Sequence, residues 1–336
     1  TGGAGYLGTV ITRLLLSQGY KVTIYDNLMY DSTVLIPFFA DKNFKFIKGD
    51  ILDKTLLDKS MKGHDVVIHL AAIVGYFACL NNERLTKDVN VVGTQNVIDS
   101  IKDNQYLLFG STGSNYGIVD GICTEETPLN PGTLYGITKT DSEKKVMNRN
   151  NSTAFRFATA FGISPRLRMD LLVNDLVFKA IEDGFLVIYQ SHAMRTFIHL
   201  NDIAKCFLFA IENHDSMKNE IYNCGSNELN FSKKEICEII KEKTDCYIHY
   251  NDYDYDKDNR DYEVSYDKLN SLGFKIETSI EEGIDELILI DIVASLYRRE
   301  INFEIDPLTG YPTESMRFTF LDFGGGEGMG NIKYVH

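Results

Sequence analysis

The sequence predicts an α/β protein: a doubly wound parallel sheet with a smaller mixed α/β lobe. Three observations predict it. Strand-like runs alternate with helical-period stretches through the first half, and strands separated by helices pair in parallel. Residues 65–70 (DVVIHL) are almost all apolar, as in a strand covered on both faces. Residues 1–8 (TGGAGYLG) are a glycine loop that opens straight into an amphipathic helix.

The elements follow in order. Residues 6–18 read as a helix, with Leu7, Val10, Ile11 and Leu14 on one face and Gly19 as the stop. Residues 21–25 (KVTIY) and 43–48 read as strands. Residues 88–101 read as a helix, 106–109 as a strand, 133–148 as a helix and 152–157 as a strand. In the second half, residues 170–182 and 202–212 read as helices. Ser232 and Glu235 form a capping box before a helix that runs to Lys243. Residues 251–260, acidic and aromatic, read as a loop. Ser279 and Glu282 repeat the box before a helix over 279–296. No internal repeat is visible. The expected division is a first domain at 1–165, a second lobe at 166–297 with some segments returning to the first sheet, and a tail at 298–336.

The 336 residues, 44% hydrophobic, suffice for a large core. A formal charge of −14 argues against nucleic acid, whose binders show a basic face. It does not exclude an anionic ligand, because binding follows the local field. Six scattered cysteines without a C-x-x-C suit free thiols in a reducing cytoplasm. Seven histidines show no metal-ligand spacing, and no apolar run has membrane-span length.

Gly2, Gly5 and Gly8 stand at G-x-x-G-x-x-G spacing at the mouth of the first helix. Glycines let the backbone approach a pyrophosphate, and the helix N-terminus offers free N–H groups. Asp26 ends the second strand, where a carboxylate accepts from the adenosine ribose hydroxyls and repels a 2′-phosphate. NAD is therefore expected over NADP. Asp50, after the next strand, is placed to meet adenine. Leu70, Ala71 and Ala72 end the following strand, where small residues let a cofactor lie close. Further along, Tyr135 and Lys139 are four apart on one helix and share a face. Free tyrosine has a pKa near 10, and a neighbouring cation favours its phenolate.

In this order, TGGAGYLG (1–8), YDNL (25–28), GDI (49–51), HLAA (69–72), NVVGT (90–94), GSTGSNYG (110–117), YGITK (135–139) and RTFIHLNDIA (195–204) resemble the extended short-chain dehydrogenase/reductases. These are the NAD-dependent nucleotide-sugar epimerases and dehydratases, with a Rossmann-like fold. Residues 155–180 are similar to a capsule and lipopolysaccharide branch that includes UDP-sugar 4-epimerases and GDP-heptose 4-dehydrogenases. The resemblance implies hydride transfer at sugar C4, a nucleotide-diphosphate sugar substrate and a homodimer. Tyr135 would take the hydroxyl proton, Lys139 would tune it, and Thr112 would bond the reacting oxygen. The cofactor contacts implied are Gly2, Gly5, Tyr6, Leu7, Asp26, Asn27, Asp50, Ile51, Leu70, Ala71, Ala72, Asn90, Tyr135, Lys139 and Phe157. The substrate contacts implied are Thr112, Asn115, Asn174, Arg195 and Arg260. Arg166 and Arg168 read as surface or structural arginines, and His199 as a packed histidine.

Relatives that eliminate water carry an acidic pair after the Ser/Thr. Here Gly113-Ser114-Asn115 follows Thr112, which favours 4-epimerisation, with a C4 dehydrogenase or reductase as the alternative and a non-catalytic NAD-binding regulator as a second. Two expectations concern the ends. A buried strand should precede the glycine loop, so a fragment starting at the loop should bind NAD weakly. Residues 317–330 (RFTFLDFGGGEGMG) resemble the first motif of an S-adenosylmethionine methyltransferase, as at the start of a fused domain.

Overall fold

A computed structural model describes residues 1–30, 33–251 and 261–297. The expectations for Arg260 and for the tail lie outside the described residues. The strands are β1 (Val22–Asp26), β2 (Phe44–Lys48), β3 (Val66–His69), β4 (Tyr106–Thr112), β5 (Ile118–Cys123), β6 (Ser152–Phe157), β7 (Thr159–Phe161), β8 (Phe185–Tyr189), β9 (Met194–His199), β10 (Glu220–Cys224), β11 (Asn230–Ser232), β12 (Tyr247–Asn251) and β13 (Asp261–Val264). The helices are α1 (Tyr6–Ser17), α2 (Lys54–Ser60), α3 (Tyr76–Asn81), α4 (Glu83–Lys87), α5 (Thr94–Ser100), α6 (Leu134–Met147), α7 (Leu172–Glu182), α8 (Leu200–Glu212), α9 (His214–Met217), α10 (Lys233–Thr244), α11 (Asp267–Asn270) and α12 (Ile280–Tyr297).

A parallel sheet runs in the order β10-β6-β4-β3, and β1 pairs in parallel with β2. Residues 1 and 2 link the two sheets edge to edge. The Gly2 N–H donates to the Tyr25 carbonyl at 3.1 Å, and the Leu70 N–H donates to the Thr1 carbonyl at 3.1 Å.

Both faces of the sheet are covered, and alternate residues of one strand show it. Leu107 and Phe109 of β4 pack with Leu57 of α2, Val97 of α5 and Val146 of α6. Tyr106 and Leu108 turn the other way, toward Val10 and Ile11 of α1 and Ile203 and Phe207 of α8. This period-2 burial on both sides is the doubly wound architecture. A further core gathers Val173 and Val177 of α7, Leu186 and Ile188 of β8, Ile236 and Ile240 of α10 and Ile284 of α12. There β8 and β12 pair in parallel, while β9 pairs with β7 and β11.

The expected helix over 88–101 is not uniform. Asp88–Gly93 forms a π-helical turn, and regular α-helix begins only at Thr94. The Asn90 carbonyl is taken by two hydroxyls, Thr94 Oγ1 and Ser142 Oγ, each at 2.6 Å. Hydroxyls inserted into the carbonyl ladder distort a helix in this way. Much of the second half, including β8 to β13, has no clear counterpart in the sequence reading, because its strands are short and only partly alternating.

Candidate active site

The glycine loop is shaped by what it excludes. Gly2 has φ +73°, and a Cβ there would lie 2.5 Å from the Ala71 nitrogen; one on Gly8 would lie 2.4 Å from the Gly2 oxygen. The loop therefore presses against the end of β3, where the small Ala71 stands. Gly5 caps α1 without any side-chain bond, so no capping side chain takes the first-turn N–H groups, the arrangement in which a helix start can take an anion. Asp26 Oδ2 accepts from the Ala4 N–H at 3.0 Å and Oδ1 from the Leu28 N–H at 2.9 Å. This fixes the carboxylate beside the loop with lone pairs to spare. Asn27 Nδ2 donates to Asp50 Oδ2 at 3.0 Å, tying the ends of β1 and β2 together, while Ile51 is buried just below. A glycine cradle with no room for Cβ atoms, an uncapped helix start and an adjacent carboxylate fit a dinucleotide.

Tyr135 stands in the first turn of α6, whose N-cap Thr133 Oγ1 accepts from the Gly136 N–H at 3.1 Å. One turn on, Lys139 is 4% exposed, with Nζ 3.9 Å from the centroid of Phe109 on β4. Burial pushes its pKa down to about 7, against the opposing pull of Glu143. Asn90 is pinned between strand and helix: Nδ2 donates to the Ile73 carbonyl and to Thr138 Oγ1, each at 3.0 Å, and Oδ1 accepts from the Ile73 N–H at 2.7 Å. Thr112 ends β4, and its Oγ1 accepts from the Ser114 N–H at 3.2 Å, which leaves the hydroxyl proton to donate elsewhere. Phe157 closes β6 beside Gly110.

Residues 1–225 match the NAD dependent epimerase/dehydratase family. The chain belongs to that family. UDP-glucose 4-epimerase of Corynebacterium glutamicum is 30% identical over 267 residues, 73% of this chain and 79% of that protein. A putative UDP-glucose 4-epimerase of Methanocaldococcus jannaschii is 29% identical over 309 residues, 86% and 96% of the two chains. Among solved structures, UDP-glucose 4-epimerase of Thermus thermophilus in complex with NAD aligns with TM-score 0.74 at 21% identity, covering 85% of this chain and 97% of that one. The dTDP-glucose 4,6-dehydratase DesIV of Streptomyces venezuelae gives TM-score 0.78 at 23% identity, covering 89% and 97%. Both share the fold. As a member of the epimerase/dehydratase family the chain is an enzyme, and its cofactor is NAD.

Three of the residues expected to meet substrate are buried among protein groups. Asn115 is fully buried, and its Nδ2 donates to Ser111 Oγ at 3.1 Å and Glu143 Oε2 at 3.2 Å. Asn174 is 1% exposed, with its amide committed to the Gly162 N–H, the Tyr6 hydroxyl and the Arg168 carbonyl. Arg195 is buried on β9, with NH1 donating to the Met194 carbonyl at 3.0 Å. Asn115 and Asn174 thus meet protein groups that sequence spacing does not reveal. His199 is packed as expected, with Nε2 2.7 Å from Glu286 Oε2.

Two features escaped the sequence reading. A buried ion pair, Arg156 NH2 to Glu143 Oε1 at 2.7 Å, ties α6 to β6, and Ser111 Oγ of β4 donates to Glu143 Oε2 at 2.6 Å. Its one visible signal is that Glu143 continues the Tyr135–Lys139 four-residue spacing. The second is Arg168, which is mostly buried in an ion pair with Asp170. Nε donates to Asp170 Oδ1 at 3.0 Å while NH2 pairs with Oδ2, and the charge acts on both Tyr135 and Tyr6. Arg166 turns aside to stack on Tyr30, 3.9 Å from its centroid.

Proposed function

We propose that this enzyme is a nucleotide-sugar 4-epimerase. The observation that carries the reading is Tyr135 one turn before the buried cation Lys139, at the end of the β4 strand that Thr112 closes. When bound, NAD⁺ accepts the hydride from sugar C4 and later returns it. Tyr135 Oη receives the C4 hydroxyl proton as the hydride leaves. Moving its pKa down two or three units requires about 3–4 kcal/mol of preference for the phenolate. Lys139 supplies part of this across one helical turn in a partly desolvated site. Thr112 Oγ1 donates to the C4 oxygen and holds it against Tyr135. Returning the proton from Tyr135 closes the cycle, with the 4-keto sugar turned between the two transfers.

Water elimination would need a carboxylate acid and base near Thr112. Gly113, Ser114 and Asn115 supply none, and the carboxylate behind this turn, Glu143, is held by Arg156 and Ser111. Relatives named as UDP-glucose 4-epimerases support the same direction.

The test is Tyr135→Phe with UDP-glucose. Turnover should fall about 10²–10⁴-fold, the usual contribution of a positioned acid–base group, while NAD remains bound. Unchanged turnover sinks the assignment. Wild type should form the inverted sugar with no build-up of NADH; accumulating NADH with a released keto sugar would make it a C4 dehydrogenase.

A further inference from the structure

The glycine loop lies between the carboxyl ends of β1 and β3, tied to both through residues 1 and 2. Open α/β sheets bind ligands beyond such strand ends. Residues 162–168 run past this place and are fixed at three points around it. At the start of α1, Ser164 Oγ donates to the Tyr6 carbonyl at 2.8 Å and lies 2.9 Å from Thr9 Oγ1. The Arg166 N–H donates to the same Oγ at 3.3 Å. Beyond the end of β3, a Cβ on Gly75 would lie 3.4 Å from Arg168 NH2. Beyond the end of β1, the Arg166 guanidinium covers the Tyr30 ring, 3.9 Å from its centroid. Tyr30 is four residues past Asp26, whose Oδ2 accepts from the Ala4 N–H at 3.0 Å. These contacts close a ring around residues 4–6. Asp26 holds one side of the glycine loop, Ser164 holds the other, and the Arg166–Tyr30 stack joins the two. Ser164 is buried, whereas Tyr30 is 55% exposed, so the stack is where the ring can open.

We propose that the Arg166–Tyr30 stack is a clasp that retains NAD, holding residues 162–168 across the cofactor loop and parting before the dinucleotide leaves. The inference rests on NAD seated at the glycine loop and goes beyond the 4-epimerase reading. A guanidinium over an aromatic face at an exposed site slows such an opening by about two- to fivefold. Its partners are far apart in sequence and belong to segments separately fixed to the loop, so the stack adds a bond between them without shaping either one. Retention suits a reaction that borrows a hydride and returns it, because the reduced cofactor has to stay through both transfers.

The experiment is stopped-flow displacement without sugar: enzyme loaded with NADH is mixed with excess NAD⁺, and the loss of bound NADH fluorescence gives the release rate. Arg166→Ala and Tyr30→Ala should each raise that rate by about fivefold. The double variant Arg166→Ala/Tyr30→Ala should also rise by about fivefold, because the two changes remove one shared contact. Tyr30→Phe keeps the ring face and should stay within about twofold of wild type. An unchanged rate in either alanine variant overturns the inference. So does a double variant near the product of the singles, about 25-fold, or Tyr30→Phe releasing as fast as Tyr30→Ala. The 4-epimerase reading fails separately, if wild type forms no inverted sugar whatever its release rate.

Discussion

Lys139 shows how much of this site depends on the surroundings of one group. Its spacing from Tyr135 is a sequence feature, but its burial against Phe109 is not, and burial brings its pKa down to about 7. The unfolded chain keeps that lysine protonated to about pH 10.4. Between these values the unfolded state binds a proton that the folded state lacks, so stability rises with pH. The contribution approaches about 1.4 kcal/mol per pH unit. Lys139→Met should therefore flatten the rise of cofactor-free Tm between neutral and mildly alkaline pH. An identical slope in the variant would show that Lys139 does not titrate there. Below the folded pKa the lysine is charged in both states and the difference between the proteins should be flat. His69, also buried, is held well below its ordinary pKa by desolvation and stays neutral between Thr1 and Thr94.

At the scale of elements, the site is a junction between β4 and α6, and Glu143 fastens it. Ser111 precedes Thr112 on the strand, Glu143 lies one turn beyond Lys139 on the helix, and Arg156 of β6 completes the bond. Arg156 also donates to the Tyr116 hydroxyl at 3.1 Å and to the Glu125 carbonyl at 3.0 Å. Removing one partner from a buried pair strands a charge at a cost of about 3–5 kcal/mol. Glu143→Gln should lower the urea midpoint accordingly. The double variant Glu143→Gln/Arg156→Met should cost clearly less than the sum of its singles, and strict additivity would refute the coupling. The periodicity of α6 is readable in the sequence because helical spacing is local. The strand that supplies Arg156, and the hydroxyl insertion that makes the π-turn at Asn90, depend on which elements lie side by side.

For the molecule as a whole, the tie between the cofactor loop and the 162–174 segment runs through Tyr6. Its hydroxyl donates to the Gly162 carbonyl at 2.7 Å and accepts from Asn174, and Ser164 Oγ donates to the Tyr6 carbonyl at 2.8 Å. Burial pushes the phenol's pKa up, so it stays a donor at all ordinary pH. Tyr6→Phe would leave two buried groups unpaired, at about 1–3 kcal/mol. Thermal unfolding should fall by several degrees, and an unchanged Tm would mean that the tie contributes nothing. The same segment explains the limits of the sequence reading. Asn174, expected among the substrate contacts because it stands in a recognisable string, bonds the Tyr6 hydroxyl, which is far away in sequence. Arg168, read as a surface or structural residue, is mostly buried in an ion pair with Asp170, beside Gly75. The sequence by itself determined the parallel α/β fold, through the alternation of strands and helices, and the glycine loop at the start of α1 and the Tyr135–Lys139 spacing, because these depend on spacing within a single turn or helix. The tertiary structure decided which arginine pairs with Asp170 and which stacks on Tyr30, which amides are spent in the core and how deeply Lys139 is buried. Those outcomes turn on contacts between segments that only the order of strands in the sheet brings together.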